Sequence, residues 1–319
     1  MRRFIAIGLI VWGLFVGGLY LALAVQSGRA QGIIPQRQQA ALLASGVDLR
    51  AVDLYALDND NVLWLKRGCD GDFRPWLRIR PFFVGEQVIG IDFRPSDGYL
   101  YAVSDLGTVY QVMLLPPGQG TTVQVSQISP RFGGGVQSLA DFNPVVDALR
   151  LIGSSDENFA LVNSGGNLNV TAVQTAITYA AGDLNAGANP NLCGGAYTNN
   201  LVGATTTLFY ALDYDKDTLV TILAGANGSS ATGGGQLTTI GRLRRNDGSQ
   251  VLIPATADLD IYTDPGSGAN LLIGLAGRTI FTLDPALTAP GQDVTVRAAS
   301  LGSGGGWIDL AAVRTRGRC

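Results

Sequence analysis

The 319-residue chain contains no histidine. That absence removes Ser-His-Asp and Cys-His catalysis, histidine ligation of zinc or haem, and imidazole pH sensing together. Glutamate and lysine are nearly missing as well. Glu86 and Glu157 stand against 23 aspartates, and Lys66 and Lys216 against 20 arginines. Charged residues make up 15% of the chain, well below the roughly 25% of ordinary globular proteins. Glu and Lys favour helices, whereas the short Asp side chain bonds nearby backbone N–H groups and favours turns. Cysteine is scarce too: Cys69, Cys193 and Cys319 have none of the CxxC spacings of zinc or redox sites. Net charge is −3 with no long basic run, so nucleic acid is not an expected partner.

What is present is 43 glycines and 46% apolar residues, the composition of short strands joined by tight turns. The amino terminus differs. Arg2 and Arg3 precede the uncharged run Phe4–Val25, longer than a secretory h-region and long enough to span a bilayer. Residues 1–32 are therefore expected to be a signal anchor with a short linker, crossing a cell membrane once through residues 4–25. The arginines would stay inside and the rest would be extracytoplasmic. Gly28-Arg29-Ala30 offers the alternative of cleavage after Ala30, which would release a secreted form. Residues 33–46 read as linker and 47–319 as the folded domain.

Within that domain the chain repeats itself. Ile91-Asp92-Phe93-Arg94-Pro95 and Ala140-Asp141-Phe142-Asn143-Pro144 each precede three further apolar strands. Related four-strand units follow from Gly195 and from Asp258, the latter ending in a fourth strand at Val294-Thr295-Val296. Trp307-Ile308-Asp309-Leu310 looks like a first strand with no unit after it. Leu54–Leu57, Val62–Leu65 and Trp76–Ile79 look like a unit lacking its first strand. Joining the two fragments predicts an all-β, five-bladed propeller closed by the carboxyl-terminal strand, which hides open sheet edges. Pro95 and Pro144 would end their strands.

IDFRPSDGYLYAV, DFNPVVDALRLI, AYTNN at 196–200 and TTLFYALDYDKDTLV at 206–220 together resemble the bacterial domain of unknown function 4394 family, over residues 45–315. The resemblance implies a repetitive all-β exported domain without an established activity, and it supplies no catalytic residues. The cysteines, the GGGQ stretch at 233–236 and the amino-terminal apolar run depart from the family pattern.

Few residues suggest chemistry. Asp92, Asp141, Asp260 and Asp309 recur at the same position of the repeat. They are expected to accept backbone N–H groups and hold blade to blade, the functional alternative being an acidic ring near the axis. Asp213, Asp215 and Asp217 alternate like Ca²⁺ ligands but lack the glycine and glutamate of a calcium loop, so a solvated turn is expected there and at Asp58–Asn61. Gly133–Gly135 and Gly302–Gly306 precede strands, not the helix amino terminus that a phosphate cradle needs. Trp64, Trp76, Trp307, Tyr99 and Tyr101 would bind sugar only if they gathered on one face. Strand directions in the closing blade place Cys69 and Cys319 at the same end, which predicts a Cys69–Cys319 disulfide with Cys193 left over. No catalytic residue, metal or cofactor is expected. The leading expectation is a membrane-anchored binding or scaffold module with protein partners in or on the membrane, an accessory subunit of a larger complex. A carbohydrate or surface-polymer binder, and a histidine-independent hydrolase or lyase using Asp and Tyr in the propeller mouth, are the alternatives.

Overall fold

The computed structural model describes residues 48–315, apart from 82, 116–119, 136, 165–166, 223–234 and 303. Four strands per blade and five blades account for nearly all of its regular structure. Blade one takes β1 (Val52–Asp58), β2 (Val62–Lys66) and β3 (Arg74–Arg78) from the start of the domain. Blade two is β4 (Val88–Phe93), β5 (Leu100–Ser104), β6 (Thr108–Leu114) and β7 (Gly120–Gln127). Blade three is β8 (Leu139–Asn143), β9 (Ala148–Ile152), β10 (Asn158–Ser164) and β11 (Asn167–Val173). After the short β12 (Thr178–Tyr179), blade four holds β13 (Leu192–Tyr197), β14 (Phe209–Asp213), β15 (Thr218–Ile222) and β16 (Gln236–Arg244). Blade five is β17 (Asp258–Thr263), β18 (Asn270–Ala276) and β19 (Thr279–Leu283), then, past β20 (Val294–Thr295), β21 (Arg297–Ser300). The last strand, β22 (Trp307–Arg314), pairs antiparallel with β1, with Ala311 opposite Tyr55. The two chain fragments therefore complete one sheet in the order β22-β1-β2-β3.

Why the sequence closes into a ring follows from side-chain alternation. Successive residues of a strand face opposite sides of the sheet, and in a propeller both sides meet a neighbouring blade. On β1, Leu54 and Ala56 pack with Tyr262, Leu271 and Ile273 of blade five, while Tyr55 and Leu57 pack with Ile91, Phe93 and Leu100 of blade two. Five buried apolar clusters fill the five blade junctions in this way. Strands buried on both faces read as continuous apolar runs, which is why LYAV and FYAL lack a polar face.

Two expectations need correction. Val294-Thr295-Val296 is not the fourth strand of blade five. Arg297–Ser300 fills that place beside β19, and Val294 and Thr295 instead pair parallel with Leu243 and Arg244 of blade four. The connection before β21 is long enough to reach the neighbouring blade, where burying Val294 covers an otherwise open edge. β12 covers the other half of that edge, so blade four has six strands, not four. Among the described residues no helix is long and apolar enough to cross a membrane. The run Phe4–Val25, the position after Ala30 and Cys319 lie outside the described residues.

Candidate functional site: the axial carboxylates

The inner strands β22, β4, β8, β13 and β17 each pair with a second strand on one side only. Their other edge faces the axis and leaves a row of backbone N–H groups without a ladder partner, a costly state in the interior. Aspartates from neighbouring strands fill that need. Asp309 of blade one accepts the Ile91 N–H of blade two at 3.2 Å. Asp92 of blade two accepts the Phe142 N–H of blade three at 2.7 Å and its own neighbour's, Phe93, at 2.6 Å. Asp141 of blade three accepts the Tyr197 N–H of blade four at 3.0 Å. Asp258 of blade five accepts from Gly195 of blade four and, at 2.6 Å, from Leu310 of blade one. Asp260 takes the N–H groups of Ala312 and Ile261, both at 2.5 Å. Every blade junction is thus bridged by at least one carboxylate.

All five side chains are buried, none more than 4% exposed. Oxygens of Asp92, Asp141 and Asp260 lie within 4.8 Å of one another. Burial pushes all five carboxyls upward, Asp260 to about 6. Mutual repulsion raises Asp92, Asp141, Asp258 and Asp309 further, against the pull of the backbone N–H bonds. Protons in such a cluster belong to the group and not to single residues. Three convergent oxygens are a donor set that a hard cation could use, but at least one oxygen of each already accepts a backbone N–H.

The repeat suggested one shared position for the aspartates, and the structure sets them at different distances from the ends of their strands while bringing Asp92, Asp141 and Asp260 together. The hairpins after β4, β8 and β17 close at Arg94, Asn143 and Asp264, and β22, which no hairpin follows, ends where Thr315 bonds Ala51. Asp92 and Asp141 lie two residues before that point, Asp260 four, and Asp258 and Asp309 six. Even offsets keep all five on the same side of their strands. Blade four has no aspartate on its inner strand; it has Gly194 and Gly195 instead. A Cβ on Gly194 would lie 2.3 Å from Asp258 Oδ1, and one on Gly90 would lie 3.3 Å from Asp309 Oδ2. These glycines are the space that the carboxylates occupy. Asp258 was the member not singled out from sequence, although Asp258 and Asp260, two apart on one strand, share a side.

The other candidates do not converge. Asp213 is buried, accepting the Asp215 and Lys216 N–H groups on Oδ1 and the Tyr179 hydroxyl, at 2.5 Å, on Oδ2. Asp215 points to Lys216 Nζ at 3.7 Å, and Asp217 accepts the Ile253 N–H at 2.7 Å. Asp58 caps its own turn through Asp60 and Val62 and takes the Trp64 indole N–H at 2.7 Å. A cleft of about 430 Å³ beside blade four is lined by Asp215, Lys216, Arg242 and Asp293 with Thr239 and Gly291; it mixes charges and holds no nucleophile–base pair. Trp307 is buried against Phe73 and Trp64, Tyr101 is buried against Phe142, and of the five aromatics singled out Tyr99 alone is exposed. No aromatic face forms from them. The glycine stretches at 133–135 and 302–306 connect strands, with Gly135, Gly304, Gly305 and Gly306 at positive φ. Phe93 and Phe142 pack in the junctions, and Pro95 and Pro144 stand just past their strands. Cys193 is a free, buried thiol, and Cys69 is exposed in the β2–β3 turn.

A closed five-bladed β-propeller, its junctions bridged by buried aspartates, is the class that fold and site define. The chain belongs to the family described as Domain of unknown function (DUF4394), whose model matches residues 74–288. A search of curated proteins finds no match. Among solved structures it is similar to the crystal structure of the major Malassezia sympodialis allergen Mala s 1, at 9% identity and a TM-score of 0.43, over 79% of this chain and 76% of that one. It is also similar to dihydro-heme d1 dehydrogenase NirN in complex with DHE, at 13% identity and a TM-score of 0.32, over 77% of this chain and 44% of that one. Neither likeness carries an argument about function.

Proposed function

We propose that this protein is an extracytoplasmic binding or scaffold module held to the membrane by residues 4–25, an accessory subunit of a larger assembly. The observation that carries the reading is the employment of the axial carboxylates. Among the described residues the acidic groups that converge, Asp92, Asp141 and Asp260, are buried and accept backbone N–H groups across the blade junctions, which supports a structural employment of these acids. What the fold offers outward is a rigid disc of loops, the arrangement on which binding surfaces are built. Both ends of the domain emerge on one face, where the Thr315 N–H bonds the Ala51 carbonyl, which suits a tether.

The Cys69–Cys319 staple belongs to the same proposal. Cys69 lies in the turn on the face where β22 ends beside Val52, and an exported chain meets an oxidising compartment. Non-reducing peptide mapping is expected to return a Cys69–Cys319 peptide; a free Cys319 in oxidised protein contradicts it.

Topology reporters fused after Val25 and after Cys319, with carbonate extraction of membranes, test the anchor. The expected result is a resistant membrane protein whose propeller is digested only by protease added outside the cytoplasm. Protein released by carbonate, or with an amino terminus at Gln31, contradicts it.

A further inference from the structure

We propose that the outer edge of blade three, strand β11, pairs antiparallel with β11 of a second copy of this chain across a two-fold axis. An outermost strand offers unpaired N–H and C=O groups to any other strand. Folded proteins blunt such edges with charge, proline, short length or a covering segment. Four of the five blades do so. β3 reads Arg-Pro-Trp-Leu-Arg, with Arg74, Pro75 and Arg78 exposed. β12 and β20 pair along the edge of β16. β21 is four residues long and opens with exposed Arg297. β7 is uncharged, but Thr122 Oγ1 bonds the Arg80 carbonyl at 2.9 Å, which holds exposed Arg80 of the connection from blade one beside it.

β11 has none of these devices. It reads Asn-Leu-Asn-Val-Thr-Ala-Val, and no charged residue occurs from Asn158 to Gly182. Among the described residues its only strand partner is β10. A bulge at Asn169 interrupts the ladder, after which Val170–Val173 run in regular register with Phe159–Val162. Val170 and Val173, at the two ends of that stretch, are 48% and 59% exposed. Val173 lies opposite Phe159, whose side of the sheet packs against blade two. On the facing side of blade two Val123 is 42% exposed. Ser129 N–H bonds Thr171 Oγ1 at 3.3 Å, so the rims of the two blades adjoin. An uncharged, partly apolar rim beside an open edge has the composition of an interface centre, where charge is depleted.

Charge selects a second copy as the occupant. A two-fold axis sets each residue of an antiparallel pair opposite or near its own counterpart, so every charge on the strand meets its like. Self-pairing of β3, β16 or β21 would bring arginines together. Self-pairing of β11 brings together only valine, threonine, alanine and asparagine. The acid that reaches this hairpin, Asp147, takes the Asn163 amide at 2.6 Å and is neutralised by Arg94 at 2.5 Å. Pairing would join the β8–β11 sheets of two protomers into one and satisfy both open edges. The inference does not depend on the membrane anchor.

Sedimentation equilibrium of the full chain, in density-matched mild detergent over a concentration series, tests the pairing. Wild type is expected to be a reversible dimer. Val170→Asp and Val170→Lys are each expected to weaken it about 100-fold by placing like charges together, with the circular dichroism spectrum unchanged. An equimolar mixture of the two variants is expected to restore the dimer, which a damaged blade could not do. If either variant loses the native spectrum, the same two charges at Val173 give the reading. Leu287→Asp, an exposed site on blade five, is expected to leave association unchanged. Three results overturn the proposal: wild type that stays monomeric, a dimer indifferent to charge at Val170 and Val173, such as one made by residues 4–25, or a mixture of the Asp and Lys variants that stays monomeric.

Discussion

The axis and the turn at 213–217 are both rich in aspartate, yet they are built in opposite ways. In the turn, three carboxylates lie within five residues and diverge: one inward to a tyrosine hydroxyl, one outward to lysine, one to a backbone N–H. On the axis, residues as far apart as Asp92 and Asp260 converge to within 4.8 Å. The turn disposes of local backbone donors, as aspartate does in any tight turn. The axis disposes of donors that no local segment can reach, because the free edge of each inner strand faces the axis, where only neighbouring blades supply acceptors. Density of acid in sequence is therefore a poor guide to a site. Recurrence on inner strands is a better one.

The largest effect that sharpens this contrast is expected at a glycine. Gly194→Ala sets a Cβ 2.3 Å from Asp258 Oδ1 and 2.5 Å from its Cα, with backbone on one side and a buried carboxylate on the other. A loss of about 3 kcal/mol by denaturant titration is expected; a loss under about 1 kcal/mol would mean that the axis is slack. Gly203, at φ +80 with open space around it, is the matched control for cavity though not for strain.

Next comes Asp92→Ala, which leaves the buried Phe93 and Phe142 N–H groups without their acceptor. The expected cost is about 2 kcal/mol, reduced where repulsion among the remaining carboxylates is relieved. Stability unchanged at every pH would show that the bridges contribute nothing. The smallest effect belongs to the turn: Asp215→Ala is expected to stay within about 0.5 kcal/mol. Calcium or chelator is expected to leave the melting temperature in place, since a site filled at 100 times its Kd would add about 2.7 kcal/mol. A chelator-sensitive melting temperature abolished by Asp215→Ala would make the turn a metal site and erase the contrast.

Much of the ring was legible in the sequence because the repeat is written in strand periodicity and in complementary fragments at the two ends, Leu54–Ile79 and Trp307–Leu310. What was not legible depended on long-range partners. Val294 reads as strand in either location; only the open edge of β16 decides that it joins blade four. The convergence of Asp260 with Asp92 is not written in their positions, because its hairpin closes at Asp264, four residues on, whereas that after Asp92 closes at Arg94, two residues on. The role of Gly194 is set by Asp258, 64 positions later, and carries no local signal.

The most direct test of the axial account is the stability of wild type and Asp260→Asn measured by denaturant between about pH 4 and pH 8. Burial raises the folded carboxyl from 3.8 to about 6, so the stability it contributes is fully present below 3.8 and lost as pH rises through about 6. That shift corresponds to about 3 kcal/mol. Asparagine does not titrate but keeps a single oxygen for the two N–H groups of Ile261 and Ala312. The variant is therefore expected to be the less stable protein in acid, with the gap narrowing by up to about 3 kcal/mol toward neutral pH. A gap that stays constant or widens with pH would mean that the carboxylate is needed in its charged form, and would contradict the assignment of the axis to ring closure.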